Sequence, residues 1–304
     1  MNLLKRITLG LIVVLAIVAV VGVIATNSLG TNHQKGRIQQ LVQEKTGRQL
    51  QIDGEVRASV LPWVGLSLND VTLANSSDFS ESKFAGVQTI RLRMQLLPLL
   101  LGQFKIDAVE LYGLSLELQR DADGKTNWDD LMSATTVVET DVGDDVIQEV
   151  EAGAPVVAAL SIGGLQIKDA KVSFADQQAD SFVALSDFDL TTGSVVLTEP
   201  FEFESQLTVS RIADGIVSDI TASGEIILDL ANNIYQLRQL QLETNSQIAA
   251  LPLDNVPVNL TGDLTTELNT NTVDFQLAEG TALGVPLSGD LKRVGLQDLS
   301  LIHI

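Results

Sequence analysis

The densest run of chemically capable side chains is Arg120-Asp121-Ala122-Asp123-Gly124-Lys125-Thr126-Asn127-Trp128-Asp129-Asp130-Leu131. Asp121-x-Asp123 followed by Gly124 has the acid spacing of a calcium-binding loop. An EF-hand, however, sets its glycine at loop position six, and here it falls at four. A structural reading accounts for more of the run. Asp123-Gly124 predicts a turn, and Asn127 is placed to cap a short helix whose first turn sets Asp129 and Asp130 against the helix dipole. No metal site is expected there. Elsewhere the chain has two histidines, His33 and His303, and no cysteine. That excludes a disulfide framework, a thiol nucleophile and a cysteine zinc site. No His-x-x-x-His pair, Gly-x-Ser-x-Gly elbow, phosphate loop or dinucleotide fingerprint occurs. Carboxylates are numerous enough for a carboxylate-only hydrolase, but a solvated acidic surface supplies the same abundance. No catalytic residue, cofactor or metal ligand is assigned, and the chain is not expected to be an enzyme.

The elements that carry these residues are expected to lie outside the cytoplasm. Formal net charge is -20 over 304 residues. Phosphate-backbone recognition needs clustered Lys and Arg, so no nucleic-acid partner is expected. An acidic surface also adheres poorly to anionic headgroups, so membrane attachment must be hydrophobic. Residues Ile7 to Thr26 (ITLGLIVVLAIVAVVGVIAT) carry no charge and follow Lys5 and Arg6. About 20 apolar residues suffice for a helix to cross a bilayer, and the basic pair keeps the N-terminal side cytoplasmic. The expected layout is a cytoplasmic N-terminus over 1–6, a transmembrane anchor over 7–26 and an exported remainder, a single pass through the membrane. The competing reading is a cleaved signal peptide ending at Val23-Ile24-Ala25. The run exceeds a usual h-region, which favours a retained anchor. Both readings export the bulk of the chain.

Residues 35–46 (KGRIQQLVQEKT) set Ile38, Leu41 and Val42 at i, i+3 and i+4, which predicts a short amphipathic helix with Gly47 as its stop. From about Gln49 the period changes to two. Leu66 and Leu68 alternate in one phase and Val71 and Leu73 in the other, as a bulge or turn produces. Val109 and Leu111 likewise give way at Gly113 to Leu114, Leu116 and Leu118. Further alternating runs recur from Leu160 to Leu277, separated by turn residues such as Gly163-Gly164, Asp214-Gly215 and Asn232-Asn233. Strand follows strand with little helix, so pairing should be mainly antiparallel. The run 96–102 (LLPLLLG) holds a proline and predicts a turn or short helix against the sheet. Residues 133–155 carry Glu139, Asp141, Asp144, Asp145, Glu149 and Glu151 with no basic residue, which predicts a solvated, disordered loop.

Three segments together resemble the N-terminal region of the AsmA family of envelope proteins. They are EKTGRQLQIDGEVRASVLPWVGLSLNDVTLAN, FAGVQTIRLRMQLLPLLLGQFKIDAVELYGLSLEL and RDADGKTNWDDL, and the resemblance covers about residues 1–132. Thr46-Gly47-Arg48, Pro62-Trp63, Leu97-Pro98-Leu99-Leu100 and Asn127-Trp128-Asp129-Asp130 make the combination specific, though each piece alone is weak. LSIGGLQIKDAKVSFADQQADSFVALSDFDL is similar to the next part of the family, and beyond about Pro200 the similarity is one of texture. The resemblance implies an inner-membrane protein facing the periplasm, with a role in outer-membrane assembly and lipid homeostasis. It also implies kinship with chorein-like and TamB-like lipid transfer proteins built from repeating β-grooves. The expected organisation is an AsmA-type helix and β region over 35–132, an acidic disordered loop over 133–158 and a continuing β-groove over 159–298. Leu299-Ser300-Leu301-Ile302-His303-Ile304 reads like a translated transposase-type sequencing adapter, so 299–304 is expected to be artefact and the chain an N-terminal fragment.

The expected fold is mainly β: an N-terminal transmembrane helix, a short amphipathic helix and an elongated, curled antiparallel sheet forming an open β-groove. Alternating strands make one apolar and one polar face, and few helices are available to cover the apolar one. The sheet must close, pack against a second sheet, or leave a groove for something else. Hydrating a 16-carbon acyl chain costs roughly 12 kcal/mol at about 0.8 per methylene, so a groove is useful for moving lipid. About fifteen strands at about 4.8 Å would span roughly 70 Å. The lining residues singled out are Leu66, Leu68, Val109, Leu111, Leu114, Leu116, Ile167, Val172 and Phe174. The expected partners are phospholipid acyl chains, the inner membrane and an outer-membrane or envelope protein. The alternative is a scaffold assisting outer-membrane protein assembly through exposed sheet edges.

Overall fold

The computed structural model describes residues 33–294, apart from 60–63, 80–82, 96–105, 132–160 and short gaps at 197–198, 230–231, 252, 254, 268 and 271. The segments 1–6, 7–26, 96–102, 133–158 and 299–304 lie outside the described residues. Among the described residues no helix is long and apolar enough to cross a membrane.

The first element is helix α1 (His33–Thr46), in agreement with the expected 35–46. Ile38 and Val42 are its buried positions and Leu41 is half-buried. Gly47, at φ 72°, donates its N–H to the Gln43 carbonyl at 2.8 Å, the left-handed stop that only glycine adopts without strain.

Seventeen strand segments follow in one sheet. They are β1 (Leu50–Ile52), β2 (Val56–Ser59), β3 (Val64–Ala74), β4 (Lys83–Met94), β5 (Ile106–Tyr112) and β6 (Ser115–Arg120). After the crossover come β7 (Ser161–Ile162), β8 (Leu165–Asp176), β9 (Ser181–Thr192), β10 (Val195–Val196), β11 (Phe201–Arg211) and β12 (Ile216–Asp229). The last are β13 (Ile234–Ile248), β14 (Val256–Glu267), β15 (Thr272–Ala282), β16 (Val285–Leu287) and β17 (Asp290–Val294). Several are successive pieces of one row, because both pieces pair with the same neighbour. The spatial order is β1/β2, β3, β4, β5/β6, β7/β8, β9/β10, β11, β12, β13, β14, β15 and β16/β17. These rows, spaced about 4.8 Å apart, give a sheet roughly 50 Å across. That is shorter than the expected 70 Å, because bulges cut single rows into what reads as separate strands.

Every junction is antiparallel except one. β5 and β6 run parallel to β7 and β8. A parallel pair needs a long connection, and residues 121–160, most of them outside the described ones, separate β6 from β7 in the sequence. The first and last rows each pair on one side only among the described residues, so the sheet does not close on itself.

The phase switches read from the sequence are bulges, and they lie in line. β1 gives way to β2 at Asp53–Glu55, whose Asp53 N–H meets the carbonyl of Asp70 in β3. Gly113 separates β5 from β6, and its N–H meets the carbonyl of Lys168 in β8. Registers then shift at Ile167/Ala170, Gln206/Thr208, Ser223/Glu225, Leu237/Leu240 and Thr261/Gly262 in successive rows. Asp70, Gly113, Asp169, Asp187 and Gln239 sit at these points with φ between 49° and 62°. Aspartate and glycine tolerate that region better than β-branched residues. The result is a crease running across the sheet, perpendicular to the strands, where each strand twists more strongly.

Candidate functional site: an apolar face roofed at one end

Directly paired residues share a face, so register traces one face from the first row to the last. It runs Val56, Leu68, Ile90, Leu111, Ile167, Leu190, Ser205, Ala222, Leu242, Leu260, Gly280 and Leu287. No charge interrupts that line. The nine residues singled out from the sequence all belong to one contiguous buried cluster on this face, none more than 6% exposed. Leu66 and Leu68 share it with Val71 and Leu73, as do Val109 and Leu111 with Leu114 and Leu116. The two sequence phases converge because the bulges at Asp70 and Gly113 each restore the inward direction.

Over these first rows the face is roofed. α1 contributes Ile38 and Val42, and the segment after β6 contributes Trp128 and Leu131. The Trp128 ring lies 6.2 Å from that of Phe174. Its Nε1 is a buried polar atom without a hydrogen-bond partner. Arg48 ties the two parts of the roof together. Its Nε and Nη2 donate to the Asp130 carboxylate at 2.8 and 2.6 Å, Nη2 also donates to the Asn127 carbonyl, and the guanidinium stacks 4.6 Å above the Phe84 ring. Thr46 supports it by accepting the Arg48 N–H on Oγ1. Thr46-Gly47-Arg48 and Asn127-Trp128-Asp129-Asp130, far apart in sequence, therefore meet at one place. Arg120 and Asp176 close the same end with a largely buried ion pair between β6 and β8.

The loop that looked closest to a metal site is a structural turn. Gly124 donates its N–H to the Asp121 carbonyl, and Lys125 donates its own to Asp121 Oδ1 at 2.8 Å. Among the described residues no group of three or more His, Cys, Asp or Glu could hold a metal ion. Asn127 does not cap the following helix as the sequence suggested. Its side chain instead accepts the Gln119 N–H and donates to the Glu117 carbonyl and to Asn75 Oδ1, stitching the loop to β6. The capping contact is made one residue earlier, where the Asp129 carboxylate accepts the N–H of Thr126 at 2.8 Å and its hydroxyl. Full burial drives this: Asn127 is 0% exposed, and a buried amide must satisfy donors and acceptor together.

Beyond β9 the described residues place no helix over the same face; Phe201, Phe203 and Leu240 are still buried on it, and the rest is less covered. Ile216 and Ile220 in β12, Leu242 and Ile248 in β13, and Val256, Val258 and Leu260 in β14 are half-buried rather than sealed. Their outward neighbours Asp219, Thr221, Glu243, Asn245 and Asn259 are exposed. Tyr235 stands on the apolar face opposite Leu228 and Thr266, and burial pushes its phenol above the ordinary value. This open stretch was absent from the residues singled out. Its alternation was visible in the sequence, but its phase could not be carried across five further bulges without the register. Arg48 was also missed as a functional position, since nothing local marks an arginine as buried.

No curated protein matches the chain, and no solved structure does. The model of the AsmA family matches residues 1–302, well past the point where the motifs gave out. Proteins of this family are non-catalytic transport or scaffold proteins, and the chain is not an enzyme. An elongated, mainly β periplasmic sheet is typical of the family. By that match over nearly its whole length, the chain belongs to the AsmA family.

Proposed function

We propose that the chain is an inner-membrane-anchored periplasmic protein that carries phospholipid acyl chains along the apolar face of its sheet, in support of outer-membrane biogenesis. The observation that supports this reading is the half-exposed aliphatic stretch over β12–β14, backed by a face of Asp, Glu, Asn and Thr. A sandwich or barrel would bury that stretch, and among the described residues the sheet forms neither. Leaving it in water is unfavourable at about 25 cal/mol per Å², and an acyl chain laid on it removes two apolar surfaces from water at once. The nine roofed residues form the closed head of this lining, and Ile7–Thr26 supplies the anchor. A second reading, a scaffold for outer-membrane proteins, draws on the outer edge of β16/β17, which has no strand beside it among the described residues.

The test places a leucine-sized diazirine amino acid at Leu242 on the apolar face and, separately, at Gln241 on the polar face. Irradiation in cells is expected to yield phospholipid adducts at Leu242 and not at Gln241. Polypeptide adducts alone at Leu242 would favour the scaffold and reject the conduit.

A further inference from the structure

The apolar face changes character at β9. Upstream, an acyl chain arriving past α1 would have to displace Trp128 and break the Arg48–Asp130 fork, and Leu111 and Ile167 beneath are fully buried. Downstream, Phe201, Phe203 and Leu240 are buried, but most of the described apolar residues of the face are only half-buried. Over β9–β15 the described residues whose register puts them on this face carry one charge, Arg211. It lies opposite Val183 and Ile216, at the rim where β11 turns into β12. The next residue along the chain, Ile212, is an exposed apolar side chain at 72%, and Phe182, at 38%, is exposed on the reverse face beside Val183. The opposite rim differs: its turns present Asn232, Asn233, Asn269 and Thr270. Arg211 pairs with Asp214 at 3.0 Å, with both side chains about half exposed. Such a pair contributes little, so the guanidinium can exchange this carboxylate for another anion. Its planar fork matches a phosphate. A cation on the lip of an apolar trough, with greasy neighbours and acids behind, fits a molecule that is anionic at one end and aliphatic at the other.

We propose that phospholipid boards this sheet sideways, over the rim at β11–β12, with Arg211 taking its phosphate while the acyl chains pass onto Ile216 and Ile220. The closed head then acts as a stopper and not as the mouth of the groove. This inference rests on the groove reading above and deepens it by naming where the ligand enters and what holds its headgroup.

The experiment uses the full chain in detergent, mixed with phosphatidylglycerol vesicles containing a diacylglycerol tracer that lacks phosphate. The diazirine residue is placed at Ile220 or at Leu116. The expected result is phosphatidylglycerol adducts at Ile220 and far fewer at Leu116. Arg211→Glu should lower the early phosphatidylglycerol yield at Ile220 about tenfold, the scale of a lost charge-assisted contact, while Arg211→Lys retains most of it. The diacylglycerol yield should not respond to either change. Circular dichroism and a thermal melt show that each variant is folded, and Arg211→Gln serves where the reversed charge perturbs the turn. Equal adducts at Leu116 and Ile220 would overturn sideways boarding. An unchanged phosphatidylglycerol yield in Arg211→Glu would overturn the role of Arg211, as would inorganic phosphate binding at Arg211 without any effect on lipid adducts. Absence of lipid adducts at every position on the apolar face would overturn the groove reading itself, and the inference with it.

Discussion

At 3% exposure Arg48 carries its charge into the interior, which is tolerable only because every direction of its fork is met. Asp130, the Asn127 carbonyl and the Phe84 ring each take part. Removing one member of such a buried pair is costly because it leaves the others unsatisfied. Arg48→Ala is expected to destabilise the protein by about 3 kcal/mol in urea unfolding. Arg48→Lys should recover less than half, since an ammonium cannot reproduce the bidentate geometry. A loss below about 0.5 kcal/mol for Arg48→Ala would mean the roof is not held there. By contrast the Lys125–Asp78 pair is wholly at the surface. It lowers the Asp78 pKa and raises that of Lys125 through their hydrogen bond, and solvent leaves it little part in stability.

At the scale of elements, the crease sets a recurring problem, because a bulged residue turns its N–H out of the ladder. Two rows solve it in the same way. Asp189 accepts the N–H of Asp169 at 2.9 Å, and Asp263 accepts that of Gln239 at 2.8 Å. Burial disfavours the Asp189 anion, but the Asp169 N–H and the Lys168 ammonium outweigh it and hold the carboxyl below its usual 3.8. A depressed folded-state pKa contributes stability that is present above the unfolded value and is lost as pH falls through the folded one. Asp189→Asn should therefore cost about 1 kcal/mol at neutral pH, and the gap to the wild type should close in acid. A gap unchanged between neutral pH and acid would exclude the carboxylate as the source. Gly262, in the same crease, leaves no room for a side chain, since a Cβ there would lie 2.2 Å from the Gln276 carbonyl oxygen.

At the scale of the molecule, burial is uneven along the sheet. The buried cluster draws on α1, the first rows up to β8 and the segment that carries Trp128. Past β11, Leu240 is the one buried large aliphatic residue among those described. Regions with few buried apolar contacts open locally at lower free energy. Amide hydrogen exchange is therefore expected to be at least about tenfold slower in β4, β6 and β8 than in β12–β15. Phospholipid should slow exchange in β12–β15 and leave the head unchanged. Uniform protection in the lipid-free chain would contradict both the closed head and the open trough.

Composition and period fixed the chemistry and the class of fold. The missing cysteines and histidine pairs, the acidic surface, the alternation and the stop at Gly47 are local properties, and all were legible in order along the chain. The breaks at Leu68/Val71 and Gly113 were legible too, because a bulge changes the phase of its own strand. What needed the tertiary structure was everything set by pairing. Register decided that opposite phases point to one face, that seventeen segments make a shorter run of rows, and that one junction is parallel. Only the meeting of α1 with residues 126–131 decided that the residues read as lining lie under a roof, while the open trough begins farther along. Alternation tells each strand which side chains share a face; contacts between residues distant in sequence decide which part of that face is covered.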